Sequence, residues 1–165
     1  MLKVAPLGQD VLKVGPSRTP IHGSILESTY NQEMTPDLTR MQHFIRSTLG
    51  CGCPEEVLQW IECSRSEPVP EHSLRLTRID VGGRLLVYVV EGEEAPETAA
   101  NALPALMAAG LAERKRAGFN RLRLVVASFD PDAIRPHAER VFAASAPRDE
   151  NIHLHVVAID ELPFG

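Results

Sequence analysis

The sequence predicts an α/β fold: a mixed sheet of about four strands in the order β-β-α-β-α-β, preceded by two short helices and an extended N-terminal arm. Three observations carry that expectation. Two β-rich runs, one with Leu74, Leu76 and Ile79 and one from Leu85 to Val90, flank Gly82-Gly83, a hairpin signal. Leu122 to Ala127 and Ile152 to Ile159 read as two further strands. The stretches joining the last three strands have helical composition, so crossovers make those strands parallel while the hairpin adds an antiparallel edge. Layer rules then favour helices on both faces of the sheet.

Residues 1–34 form the expected arm. Pro6, Pro16 and Pro20 punctuate it and no helical period is sustained. Leu2-Lys3-Val4-Ala5-Pro6 is echoed by Leu12-Lys13-Val14-Gly15-Pro16, which suits two short extended pieces that pair with each other or lie on a partner. The rival reading is a chain end of no consequence.

Residues 35–165 form one α/β domain. Thr35-Pro36-Asp37 reads as a helix start, with Thr35 as N-cap and Pro36 at the first helical position, where its missing N–H costs nothing. Leu38, Met41, Ile45 and Leu49 share a face with Phe44 beside them, and Gly50 ends the helix. A second helix is expected from Pro54 to about Ile61, with Val57, Leu58 and Ile61 inward. Pro68 and Pro70 break the chain before the hairpin. After it, an alanine- and leucine-rich helix enters near Pro104 and closes at Gly118, with Arg114, Lys115 and Arg116 in its last turn. Asp130-Pro131 opens another helix, which Pro136 restarts or kinks, with Ala138, Val141 and Phe142 inward. In the last strand Ile152, Leu154, Val156 and Ala158 share a face.

Composition excludes several classes of function. The 165 residues are 44% hydrophobic, enough for one core, and the formal net charge is −5. Arg114-Lys115-Arg116 is the one basic run, so the electrostatic footprint of nucleic-acid binding is missing. The longest apolar runs are far short of the ~20 residues of a membrane helix, and a cytoplasmic protein is expected. No P-loop, G-x-G-x-x-G after a strand, H-E-x-x-H or G-x-S-x-G is present.

The chemistry-bearing feature is Cys51-Gly52-Cys53, two of three cysteines one residue apart in an expected interhelical turn. Such thiols can chelate one metal, share a cluster edge or cycle as a redox pair. Cys53 reads as N-cap of the Pro54 helix, where a thiolate is stabilised. Cys51 and Cys53 are therefore the candidate catalytic pair and the candidate metal ligands. The rival is packing, since cysteine is often buried as a small hydrophobe. Cys63 would lie about 15 Å further along a continuous helix and reads as structural. Three cysteines cannot complete a four-cysteine zinc or iron–sulfur site, so a transition metal or cluster would need ligands from outside the pair.

Other constellations have bland rivals. His22, His43 and His72 stand at no diagnostic spacing from the cysteines. His153 and His155 share a strand face, either as a metal pair or as ordinary polar residues near a strand start. The strand ends carry Glu91, Glu93 and Glu94, then Ser128, Asp130 and Asp132, then Asp160 and Glu161. Converging, these carboxylates would suit magnesium; separately they are a helix cap and solvated loops.

Thr48-Leu49-Gly50-Cys51-Gly52-Cys53-Pro54-Glu55-Glu56-Val57 resembles a segment of small uncharacterised prokaryotic proteins with an L-G-C-x-C-P-E-E-V-F pattern, Leu58 standing in place of the phenylalanine. The likeness covers that segment alone and implies kinship without a mechanism. The expected function is a thiol-based redox or metal- or iron–sulfur-binding protein centred on Cys51-Gly52-Cys53. The alternative is a non-catalytic accessory subunit that docks through its arm on a protein partner, a larger complex or a second copy. A third reading is a small-molecule enzyme using the acidic strand ends.

Overall fold

The computed structural model describes residues 32–34, 37–66, 74–92 and 96–164. Five strands, β2 (Ile61–Arg65), β3 (Leu74–Val81), β4 (Leu85–Gly92), β5 (Arg121–Ser128) and β6 (Ile152–Ala158), form a mixed sheet in sequence order. A three-residue strand, β1 (Gln32–Met34), extends it at the β2 edge. Pairing is antiparallel from β1 to β4 and parallel from β4 to β6. The parallel part and the antiparallel hairpin are as expected, but the sheet is larger than four strands. Strand β2 was not expected; it begins at Ile61, where the expected helix from Pro54 was to end. That helix, α2, covers only Glu55–Leu58, and the chain turns at Trp60 so that Ile61 begins the strand. Polar Glu62, Ser64 and Arg65 hide the strand pattern, and register with β3 (Cys63 opposite Ile79) supplies what local propensity does not.

Alternation sends the side chains of β3, β4, β5 and β6 to two cores. On one face α3 (Pro96–Asn101), α4 (Leu103–Ala117) and α5 (Pro131–Ser145) bury Leu86, Tyr88, Leu122, Leu124, Ile152 and Val156. On the other, α1 (Leu38–His43), its π-helical continuation Phe44–Thr48 and α2 bury Ile79, Val81, Leu85, Val87 and Val125. The chain's end closes that second core with Leu162 and Phe164. Helix α4 ends at left-handed Gly118 with three cations in its last turn, as its composition predicts.

Several boundaries differ from expectation. Asp37, not Thr35, caps α1, accepting from the Arg40 N–H at 3.2 Å. Met41, Phe44, Ile45 and Leu49 are buried, but Leu38 is 38% exposed because it stands at the first turn, beyond the core. The hairpin turn takes in Gly82, Gly83 and Arg84, with Val81 paired to Leu85. Pro136 lies inside an uninterrupted α5, and β6 stops at Ala158. The expected arm lies outside the described residues except for Gln32–Met34.

Candidate functional site: the Cys51–Cys53 pair

The π-helical turn sets up the cysteine loop. Leu49 N–H donates to Phe44 O and Cys51 N–H to Ile45 O, both at 3.0 Å, and Gly50 takes φ 61° to turn the chain out of the helix. Cys51 is thereby directed into the second core and is only 3% exposed, while Cys53 is half-buried. The two are joined as a disulfide with Cα atoms 5.4 Å apart. Pro54, not Cys53, is the N-cap of α2, so Cys53 stands one residue outside a single-turn helix and the expected dipole support is not there. The cation at the pair comes instead from β5: Arg121 Nη1 donates to Cys51 Sγ at 3.5 Å. Sequence reasoning missed Arg121, which is 70 positions away. Beside the loop, Arg46 forms an ion pair with Glu55 that links the helix end to α2.

Cys63 is separate from this site. It sits on β2 in the same apolar core, and burial pushes its thiol up to about 12, against the smaller opposing pull of Arg65 and Arg78. Such a thiol stays protonated and inert, in keeping with a structural cysteine.

The described carboxylates at the strand ends do not converge. Glu91 is buried and accepts from Arg65 Nη2 at 2.8 and 2.9 Å. Asp130 caps α5 through Ala133 N–H, and Ser128 Oγ accepts from Asp130 N–H. Asp132 approaches Arg135 at 3.7 Å, and Asp160 is exposed on the final turn. Glu161 accepts from Ala158 N–H at 2.7 Å. Glu93, Glu94, His22 and His72 lie outside the described residues. Among the described residues no group of three or more His, Cys, Asp or Glu side chains is placed to hold a metal ion.

His43 is an exposed flank residue of α1, near Ser47 Oγ. His153 and His155 do share a face of β6, but the β5 residue beside His153 is Arg123. That fixed positive charge opposes a metal cation there.

A shallow groove of about 490 Å³ opens at the hairpin end, lined by Glu56, Val57, Trp60, Glu62, Asp80 and Gly82 to Arg84. Trp60 on its rim is 76% exposed. The cysteines do not line it. No described helix is long and apolar enough to cross a membrane. Comparisons of the chain with protein-family models, curated proteins and solved structures give no match.

Proposed function

We propose that this chain is a thiol–disulfide redox protein whose centre is Cys51-Gly52-Cys53. The observation that carries the reading is the pairing of a half-buried residue, Cys53, with a buried one, Cys51, whose Sγ accepts from the Arg121 guanidinium. An incoming thiolate reaches Cys53; the bond breaks toward Cys51, and the thiolate formed there is stabilised by Arg121. Cys51 and Cys53 are thus the reacting pair, and Arg121 tunes the leaving sulfur. A metal or iron–sulfur cluster requires both sulfurs as thiolates and further ligands from outside the described residues, so the disulfide cycle is preferred.

A purely structural staple is the main rival, and magnitude weighs against it. The bridge spans a sequence separation of 2. In the chain-entropy model so small a loop stabilises by only about 1.6 kcal/mol, well under the ~3 kcal/mol of a 15-residue loop. A staple closing almost nothing is a poor use of two cysteines.

The test is redox titration in thiol buffers, with alkylation and mass measurement at each poise. One reversible two-electron couple at Cys51 and Cys53 is expected, abolished by Cys53→Ser, with Cys63 unlabelled throughout. Arg121→Gln should make the disulfide harder to reduce by about 20 mV, since about 1 kcal/mol of thiolate stabilisation is removed. Free thiols at both positions in air-equilibrated buffer would sink the reading.

The accessory-subunit alternative draws on two observations: β1, the last stretch of the arm segment, joins the sheet edge, and Trp60 is exposed at the end of neighbouring β2. The reading has residues 1–31 docked on a protein partner. Recovery of the same partners by a chain lacking them would count against it.

A further inference from the structure

We infer that Arg121, Arg123, His153 and His155 form an oxyanion-binding subsite, which receives the carboxylate or phosphate of an acidic thiol substrate of the Cys51–Cys53 pair. The substrate class rests on the redox reading of that pair; the oxyanion subsite itself does not.

Register places the four side chains together. Leu122, Leu124, Ile152 and Leu154 pack toward the α4 and α5 core, so the alternating residues Arg121, Arg123, His153 and His155 face the other way. Arg123 is the cross-strand neighbour of His153, and Val125 that of His155. Successive members on one strand are about 6.6 Å apart and neighbouring strands about 4.8 Å, which puts Arg121 and His155 about 14 Å apart at the ends of the row; a small anion centred on Arg123 has Arg121 on one side and His153 and His155 on the other. Arg121 also touches Cys51 Sγ at 3.5 Å, which makes the patch continuous with the disulfide.

Charge and unmet hydrogen bonds point to an anion. Among the described residues no carboxylate lies within ion-pair distance of these four side chains. Arg123 is only 7% exposed, and its guanidinium is held by two main-chain oxygens, Leu122 O at 3.3 Å and Asn151 O at 3.2 Å. Arg123 Nε is buried without a partner, and so is His155 Nε2. A guanidinium only donates, so it requires acceptors. Each unmet buried group is costly to retain unless something completes it. Burial and the Arg121 charge both favour loss of the Arg123 proton, and burial, Arg123 and His153 lower His155 to about 4. An arriving oxyanion supplies an acceptor for the Arg123 guanidinium and offsets the mutual repulsion of Arg121, Arg123 and the imidazoles.

The exchange balances as follows. One substrate thiolate attacks Cys53 Sγ; the new S–S bond forms as the Cys51–Cys53 bond breaks, and the electron pair goes to Cys51 Sγ beside Arg121. A second substrate thiolate attacks the substrate sulfur of that mixed disulfide and releases the Cys53 thiolate. Two substrate thiols become one disulfide while the protein pair is reduced, and the two substrate protons pass through water to the two cysteines.

The full-length oxidised protein is reacted with mercaptosuccinate and with mercaptoethanol, rates being normalised to thiolate concentration. In parallel, imidazole NMR signals are followed during titration with succinate and with inorganic phosphate. About a tenfold advantage for the acidic thiol is expected at low salt, falling toward unity in Arg123→Gln, with His153 and His155 signals moved by one of the two anions. The anion that binds more tightly identifies the oxyanion. Equal rates in the unmutated protein overturn the acidic-substrate assignment irrespective of whether the variant folds. Imidazole signals unmoved by both anions overturn the subsite. If the pair resists every thiol while the anion still binds and Arg123→Gln abolishes binding, the redox reading fails and the subsite stands.

Discussion

His155 illustrates how a residue's neighbours decide its chemistry. Its strand position is plain from the sequence, yet the depression of its pKa to about 4 arises from burial first, then from Arg123 and His153. The unfolded chain titrates this imidazole near its usual value of about 6.5. Between about pH 6.5 and pH 4 the unfolded state therefore binds more protons, so stability falls as pH falls through that window and levels off below it. Allowing for its partial exposure, the loss should be about 1–2 kcal/mol. Urea midpoints from pH 7 to pH 4 check this, and His155→Gln should flatten the slope. An unchanged slope in that variant would assign the acid sensitivity to other groups. Cys51 teaches the same lesson: its spacing from Cys53 is visible in the chain, but the Arg121 contact is not.

At the scale of elements, most helices and strands were legible because their apolar periods are long. Helix α4 announces itself by Pro104, its run of alanines and leucines, and its terminal cations. Within it, however, Glu113 is buried and accepts from Arg78 Nε at 2.7 Å, and also from Tyr88 Oη, so a carboxylate in an exposed-looking charge run clamps α4 to β3 and β4. Glu113→Ala should destabilise the protein by about 3 kcal/mol, because it leaves the Arg78 guanidinium buried and short of its closest carboxylate. Chemical denaturation measures this; a loss under about 1 kcal/mol would mean that water or Asp80, 3.9 Å from Arg78, takes over the role. Strand β2 and helix α3 were missed for opposite reasons. The first has a polar pattern rescued by pairing on both sides, while the second is a six-residue helix that Pro96 opens but that is too short to show an apolar period.

For the whole molecule, the loop carrying the cysteines is anchored by both the helical turn behind it and the core beneath it. Met41, Phe44, Ile45 and Leu49 seat the first helix on the sheet regardless of the oxidation state of the pair. Reduction of the Cys51–Cys53 bond should consequently lower the unfolding midpoint by only a few degrees, in line with about 1.6 kcal/mol. Thermal unfolding with and without a reductant tests this. Collapse of the fold on reduction would restore the staple reading.

By itself the sequence determined the α/β class, the hairpin, the parallel strands with their crossovers, and the nearness of two cysteines, because all of these are written in local periods, turn residues and spacing. Tertiary structure decided what surrounds them. Arg121 reaches Cys51 from a distant strand, Arg123 comes beside His153 through strand register, the described carboxylates are dispersed rather than gathered, and Cys63 is carried onto strand β2. Contacts of that kind depend on which strands pair and in what register, a property of the assembled sheet that no single segment encodes.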